Sequence, residues 1–140
     1  MSHQPRLPDE RLFERLGLVF ADVHLLETAL SHPSESYERD GSRGNERLEF
    51  LGDAVLDLTI AGLLYAAHPE WSEGDLTRAR AALVNTAALA AKARSLDLGE
   101  YVRLGGSERR SGGSEKDTIL AGLFEAVLGA MYLDLSRIHI

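Results

Sequence analysis

Hydrophobic residues recur at helical spacing along most of the chain. The segments "DERLFERLGLVF" and "DVHLLETALSH" carry leucines three or four positions apart, which predicts two short amphipathic helices. Asn45 favours an N-cap, and the spacing of Leu48, Leu51 and Val55 after it predicts a longer helix that runs to about His68. Because the apolar surface of that helix is wide, we expect it to be central and mostly buried.

The second half of the chain predicts two more long helices. The alanine-rich stretch "PEWSEGDLTRARAALVNTAALAAKARSL" has no proline after its first residue, so we expect one continuous helix. Ser72, with Asp75 three residues later, favours a capping box at its start. Asp117 favours the cap of a final helix through Leu133.

Three segments lack such periodicity. Residues 1–8 hold two prolines and are expected to form a flexible tail, while Pro33–Gly44 is polar and is expected to be a surface loop. Residues 97–117 contain five glycines and mixed charge, which predicts a flexible surface segment. No segment alternates at period two for long enough to form a strand, so the predicted fold class is all-α.

Composition indicates one soluble domain. The 140 residues are 44% hydrophobic, and the absence of cysteine excludes disulfides and thiolate metal sites and fits a reducing cytoplasm. The longest apolar run, Thr118–Leu133, is short for a membrane span and contains Glu125, so we expect no membrane association. A net charge of -7 argues against general affinity for nucleic acid, so any such contact must be local or bridged by cations.

Acidic residues form a stripe at the start of the long first-half helix. Glu46, Glu49, Asp53 and Asp57 lie three or four positions apart, which brings them onto one face with no lysine or arginine between them. Like charges at these spacings cost roughly 0.2–0.5 kcal/mol per pair. A solvated acidic face would explain this helix taken alone.

Glu125 changes that interpretation because it is the one charge in the apolar run 118–133. An unpaired buried carboxylate costs several kcal/mol or becomes protonated, so its partner must come from another segment. Two facing helices with carboxylates and no cysteine suit a hard divalent ion such as Mg²⁺. Ala121, Gly122 and Gly129 would permit close helix approach, although ordinary tight packing explains these small residues equally well.

Five blocks of sequence, in order, resemble the endonuclease domain of the ribonuclease III family, bacterial enzymes that process double-stranded RNA. The blocks are "LETALSHPS", "NERLEFLGDAVL", "SEGDLTRARAALVN", "LGEYVRLGGSERRSGG" and "TILAGLFEAVLGAMYLD". The resemblance extends from about Arg11 to Asp134 and places an endonuclease domain at residues 9–134. Family members usually continue into a double-stranded-RNA-binding domain, whereas residues 135–140 match nothing in the family, so we expect none here.

The resemblance implies an Mg²⁺ site, in which Mn²⁺ can substitute, at Glu49, Asp53 and Glu125, with Asp53 and Glu125 as catalytic residues. It implies hydrolysis of double-stranded RNA by an activated water, as in processing of rRNA precursors, leaving 5′-phosphate and 3′-hydroxyl ends. Glu46 and Glu73 match two accessory acids of the family.

The resemblance also implies partners. Members of the family act as homodimers, and Phe50 is a candidate interface anchor, with core packing inside one subunit as the alternative. Contacts with RNA phosphates are expected from basic residues on the alanine-rich helix and the glycine-rich segment. For each of these, solvation or pairing with Glu73, Asp75, Glu108 or Glu115 is an alternative. The candidates are Arg78, Arg80, Arg109, Arg110 and Lys116.

One position departs from the family pattern, because Gly122 stands where an aspartate is expected. Loss of one such acid would weaken the site by a few kcal/mol, roughly a hundredfold or more in rate. Two functions therefore compete: a Mg²⁺-dependent nuclease, impaired at Gly122, and a catalytically defective dimeric module that binds double-stranded RNA. A structural or partner-binding helical domain unrelated to RNA is the third hypothesis.

Overall fold

A computed structural model describes residues 4–138, and the predicted all-α fold class is confirmed. These residues contain no strand beyond an isolated bridge between Ser31 and Arg103. They form eight α-helices, with 3-10 turns at Leu98–Glu100 and Gly113–Glu115. The helices are α1 (Glu10–Leu16), α2 (Val23–Ala29), α3 (Pro33–Asp40), α4 (Glu46–Ala67), α5 (Glu73–Leu83), α6 (Thr86–Ser95), α7 (Gly106–Arg110) and α8 (Asp117–Ile138).

The architecture centres on α4 and α8, which lie in direct backbone contact. A Cβ atom built on Gly52 would stand 1.6 Å from the carbonyl oxygen of Glu125, and one on Gly129 would stand 2.3 Å from the carbonyl oxygen of Leu48. No side chain fits at either position without separating the helices. The close approach expected at Gly129 therefore occurs, and Gly52 is its counterpart on α4.

The core is built around the apolar face of α8. Leu120, Leu123 and Val127 are buried there against α2, α6 and the chain that leads into the glycine-rich segment.

The start of that segment was expected to be a flexible surface, and this expectation is wrong. Residues 98–104 include four buried apolar side chains: Leu98, Tyr101, Val102 and Leu104. The hydroxyl of Tyr101 also donates a hydrogen bond to Asp9 at 2.8 Å.

The predicted loop at residues 33–44 contains α3 instead. Pro33 occupies the first turn, where its missing N–H is not needed, and the ring nitrogen of His32 accepts from the backbone N–H of Ser34. Gly41, at φ 76°, ends the helix in the left-handed conformation. The sequence pattern did not predict this helix because its residues are polar on nearly every face. It therefore has no apolar periodicity.

The alanine-rich helix is also not continuous, because Asn85 interrupts it between α5 and α6. The Oδ1 atom of Asn85 accepts from the N–H of Ala88 at 2.9 Å, which caps α6. Its Nδ2 atom donates to the carbonyl oxygens of Ala81 and Ala82 at the end of α5. One side chain thus satisfies both helix ends. The capping box predicted at Ser72 is confirmed.

Three details at the ends of the long helices also differ from expectation. Asn45 precedes α4 but does not cap it, because its Nδ2 atom donates to the carbonyl oxygen of Ala29 at 2.9 Å instead. Asp117 was expected to cap the final helix, but it is the first residue of that helix, and its carboxylate accepts from Arg94 instead. The helix also extends past Leu133 to Ile138. Residues 1–3 and 139–140 of the predicted terminal segments lie outside the described residues.

The buried carboxylate of Asp134 ties the end of α8 to the start of α2. Its two oxygens accept from the backbone N–H groups of Ala21 and Asp22, each at 2.9 Å. Charge-assisted bonds of this kind are stronger than bonds between neutral groups. The sequence had indicated no such role for Asp134.

α4 ends near His68 as predicted, but the expectation that it is mostly buried is wrong. Only Leu48, Gly52 and Leu56 are buried, because α8 covers one face of the helix. The part of α4 that α8 does not cover holds four exposed large apolar side chains, three of them (Phe50, Leu58 and Tyr65) on one side of the helix. These are Phe50, which is 81% exposed, and Leu58, Leu63 and Tyr65.

By length and hydropathy alone, α4 and residues 117–136 of α8 are each long and apolar enough to cross a membrane. The core helices of soluble proteins meet the same test, and more than half of that part of α8 is buried inside the protein. The absence of membrane association stays a prediction.

The α4–α8 contact generates the first testable prediction. The Gly52→Ala substitution should lower the free energy of unfolding by about 3 kcal/mol or more, because its Cβ meets backbone that cannot move without parting the helices. Chemical denaturation measures the change. The matched control is Gly62→Ala on the same helix, where a Cβ meets nothing within 4 Å and should stabilise by roughly 0.5–1 kcal/mol. Equal effects of the two substitutions would contradict this packing.

Candidate active site

The acidic stripe of α4 faces Glu125 of α8 across an open pocket of about 310 Å³. Glu73, the other predicted acid, lies elsewhere, at the start of α5, where the hydroxyl of Thr77 donates to its carboxylate at 2.9 Å. Four of the five predicted acids therefore come together. The residues lining this acidic pocket are Glu46, Glu49, Phe50, Asp53 and Glu125.

The backbone contact between the two long helices brings these carboxylates together. Asp53 directly follows Gly52, and the backbone atom nearest to the Cβ built on Gly52 is the carbonyl oxygen of Glu125. The closest backbone approach thus involves Glu125 itself on α8 and, on α4, the residue next to Asp53. Small changes in helix spacing would move the carboxylates apart directly.

Negative charge in the acidic pocket is uncompensated. Burial raises the pKa of Glu125 to about 8, with further contributions from a hydrogen bond to Asp53 and from the charges of Asp53, Glu49 and Asp57. Burial also raises the pKa of Glu49, supported by the charges of Asp53 and Glu46. No lysine or arginine contributes to either shift. The pocket therefore takes up protons at pH values where ordinary glutamates are ionised.

The donor set suits a divalent cation by its chemistry. Carboxylate oxygens are the ligands preferred by hard ions, and a bound cation would relieve the repulsion that raises these pKa values. As the side chains stand, no three Asp, Glu or His residues among those described are close enough together to hold one ion. A divalent ion could be held by Glu49, Asp53 and Glu125 only after their side chains rotate. The largest change is needed at Glu49, whose carboxylate points toward Gly122.

Glu49 leans over Gly122, where the family pattern expects an aspartate. A Cβ atom at Gly122 would lie 2.8 Å from one carboxylate oxygen of Glu49 and 3.1 Å from the other. Glu49 thus occupies space that a side chain at position 122 would use. Because the conflict is with the end of a flexible side chain, an aspartate could be accommodated if Glu49 turned toward Asp53 and Glu125.

A second polar pocket, of about 320 Å³, adjoins Glu49 and Gly122. Burial lowers the pKa of His32 in its wall, against an opposing effect of Glu108. The buried Oδ1 atom of Asn45, also in this wall, has no hydrogen-bond partner among the described residues. Polar side chains therefore continue from the acidic pocket into this second pocket, with Glu49 in the wall of both.

The basic residues predicted to contact RNA are only partly free to do so. Arg78 pairs with Asp75 at 2.6 Å, and Lys116 pairs with Glu108 at 2.7 Å, as the alternative interpretation anticipated. In the described part of the chain, the other three form no ion pair: Arg80, Arg109 and Arg110.

These features define a class of protein: a helical domain with a carboxylate pocket between two central helices. The family model described as Ribonuclease-III-like matches residues 22–137. The chain therefore belongs to the ribonuclease III family.

Individual relatives agree with this assignment. The chain is 50% identical over 125 residues to ribonuclease 3 of Pelotomaculum thermopropionicum, covering 88% of this chain and 52% of that protein. It is 54% identical over 121 residues to ribonuclease 3 of Thermobifida fusca, covering 86% and 50% respectively. The chain thus spans about half the length of these relatives.

A solved structure shows the same fold. The nuclease domain of ribonuclease III from Campylobacter jejuni superposes with a TM-score of 0.85 at 42% identity, covering 93% of this chain and 88% of that one. That structure is described as flexible in a region involved in dimer formation.

The raised pKa of Glu125 generates a prediction about stability. The folded protein retains a proton on Glu125 between its ordinary pKa of 4.5 and about 8, where the unfolded chain has released it. Stability should therefore fall as pH rises through this window. Glu125→Gln removes the effect, so its gain in unfolding free energy should grow from near zero at low pH to about 1 kcal/mol above pH 8, after allowing for solvent screening of a half-buried group.

Denaturation of the parent and the variant across pH, without divalent ions, measures this gain. Glu14→Gln, at an exposed position of α1, is the matched control outside the pocket. A difference between Glu125→Gln and parent that does not change with pH would contradict the assignment of uncompensated charge to this site.

Proposed function

We propose that this domain hydrolyses phosphodiester bonds in double-stranded RNA with the help of a divalent metal ion. The observation that carries the proposal is the convergence of the α4 acids and Glu125 in one pocket, where burial and mutual repulsion raise the pKa of Glu125. Support comes from relatives that bear the name ribonuclease 3 and from the nuclease-domain fold. We propose Mg²⁺ as the ion, with Mn²⁺ able to substitute, and residues 9–134 as the nuclease domain.

The proposed roles follow from the donor chemistry. Glu49, Asp53 and Glu125 would hold the ion, with Asp53 and Glu125 nearest to the reacting atoms because they share the α4–α8 contact. A bound ion would supply Lewis-acid activation of water and neutralise charge that develops on the phosphate. Glu46, at the rim of the acidic pocket, and Glu73, at the start of α5, would act as accessory acids.

The same proposal includes the products and the setting. Attack of water on the phosphorus with departure of the 3′ oxygen leaves a 3′-hydroxyl on one fragment and a 5′-phosphate on the other. Processing of rRNA precursors in the cytoplasm is the proposed role, and it fits a chain without cysteine. The RNA contacts proposed from sequence remain Arg78, Arg80, Arg109, Arg110 and Lys116.

Gly122 supports the second candidate function, a dimeric module that binds double-stranded RNA without cutting it. The carboxylate that the family pattern places at this position is absent. Among the described residues, the acidic side chains do not come close enough together to hold an ion. We favour the nuclease because Glu49 lies close enough to be reoriented, so a ligand set can still form.

We also propose that two copies of the chain associate through the open apolar face of α4. Phe50 is 81% exposed, which removes the alternative that it packs in the core of its own subunit. It borders a groove of about 750 Å³ whose exposed lining is mostly apolar. Leu25, Leu48, Leu51 and Leu133 contribute to the lining of this groove.

Cleavage assays test the nuclease directly. With a long RNA duplex and Mg²⁺ at low salt, the parent chain should cut, and Glu125→Gln should lose at least about a hundredfold in initial rate, because a ligand is removed. Gly122→Asp should cut faster than the parent. Gly122→Ala is its matched control: it adds the Cβ that displaces Glu49 but no carboxylate, and should cut more slowly than Gly122→Asp.

The binding-only function would be supported instead if neither the parent nor Gly122→Asp cuts while both bind the duplex. If only Gly122→Asp cuts, the pocket is the active site but the parent chain is catalytically impaired.

If two copies associate through α4, substitution of Phe50 should change the mass of the species in solution. Phe50→Asp should shift the sedimenting species from dimer to monomer, because a carboxylate would be buried at an apolar contact. Tyr37→Asp is the matched control, since Tyr37 is 75% exposed on α3, away from the groove. A dimer that survives Phe50→Asp, or a parent chain that is monomeric, would exclude this interface.

A further inference from the structure

A pocket with a strongly basic lining lies between α2, α3 and the start of α4. Its volume is about 460 Å³. The carboxylate in its wall is Glu27, and the exposed His24 also borders it. We call it the arginine pocket after the four side chains that surround it: Arg39, Arg43, Arg47 and Arg103.

The positive charge of the arginine pocket is only partly neutralised. Arg39 lies 3.5 Å from Asp40 and 3.6 Å from Glu35. Arg103 approaches Glu27 only to 4.0 Å. Arg43 and Arg47 form no ion pair with any residue in the described part of the chain. Two guanidinium groups are therefore available to an external anion.

Three hydroxyl groups around the pocket already donate within the protein. Ser31 donates to the carbonyl oxygen of Glu27, Thr28 to that of His24, and Ser36 to the carboxylate of Glu35. Recognition of a ligand would therefore depend on the guanidinium groups. Guanidinium binds phosphate through paired N–H donors, and such charge-assisted bonds are strong.

The arginine pocket is connected to the acidic pocket along the surface of α4. Arg47 directly follows Glu46, which lines the acidic pocket. The apolar groove proposed as the contact between copies lies beside both pockets: it shares Arg43 and Arg47 with the arginine pocket and Glu46 with the acidic pocket. A duplex at the acidic pocket would therefore reach the arginines past the edge of that contact, on the side of the arginine pocket that faces α2 and α3.

We propose that the arginine pocket binds a backbone phosphate of double-stranded RNA while the duplex lies at the acidic pocket. This inference rests on the proposed function. The chain carries a net charge of -7 and its acidic pocket repels RNA, so affinity requires a local concentration of positive charge. The four arginines supply it at residues that the sequence had not indicated as RNA contacts.

Binding of a fluorescent RNA duplex, measured by anisotropy in EDTA so that no cleavage occurs, tests the proposal. Arg43→Gln/Arg47→Gln should bind about tenfold or more weakly at low salt, and its slope of log K against log salt should be shallower by about 1 or more. The charge-matched control is Arg11→Gln/Lys92→Gln, on exposed positions of α1 and α6, which should bind as the parent does.

Each alternative outcome overturns a stated part of the proposal. If the parent binds and both double variants bind equally, the arginine pocket is not a contact. If Arg43→Gln/Arg47→Gln loses binding of inorganic phosphate but binds the duplex as the parent does, the pocket is a site for free phosphate and not for RNA. A change in sedimentation of Arg43→Gln/Arg47→Gln would assign the pocket to contact between copies of the chain. Failure of the parent to bind duplex would overturn the proposed function itself.

Discussion

The contact between α4 and α8 at Gly52 and Gly129 determines both the packing and the candidate site. Backbone atoms of one helix occupy the space where side chains would stand on the other, at 1.6 Å and 2.3 Å from the Cβ positions. The contact buries one face of α4 and places Asp53 opposite Glu125. The same arrangement that closes the core therefore creates a concentration of negative charge.

That concentration destabilises the fold in the absence of a cation, because burial and like charges raise the pKa of both Glu49 and Glu125. Sites that bind ions commonly carry such a cost, since the ligands must be held near one another before the ion arrives. Gly122 alters the arrangement in this chain, because it lets Glu49 turn away from the other acids. In the proposed function, binding of the ion depends on how readily Glu49 returns toward Asp53 and Glu125.

The sequence predicted that the acids of α4 and Glu125 lie together, and the reasons are specific. The spacing of Glu49 and Asp53 indicated one face, and the lone charge of Glu125 in an apolar helix required a partner elsewhere. The sequence did not predict the break at Asn85, because alanine favours helix on both sides of it and the Asn85 side chain alone sets the ends of both helices. The sequence did not predict α3 either, because that helix has no apolar periodicity. The exposed face of α4 was missed because an apolar pattern does not reveal what covers it.

The most direct test of a metal site between α4 and α8 is to crystallise the chain with Mn²⁺ and locate the ion by its anomalous scattering. A metal site there predicts a peak about 2.0–2.3 Å from carboxylate oxygens of Asp53 and Glu125, with Glu49 turned away from Gly122 toward the ion. An acidic pocket without a peak at saturating Mn²⁺, or a peak bound only by other residues, would contradict it.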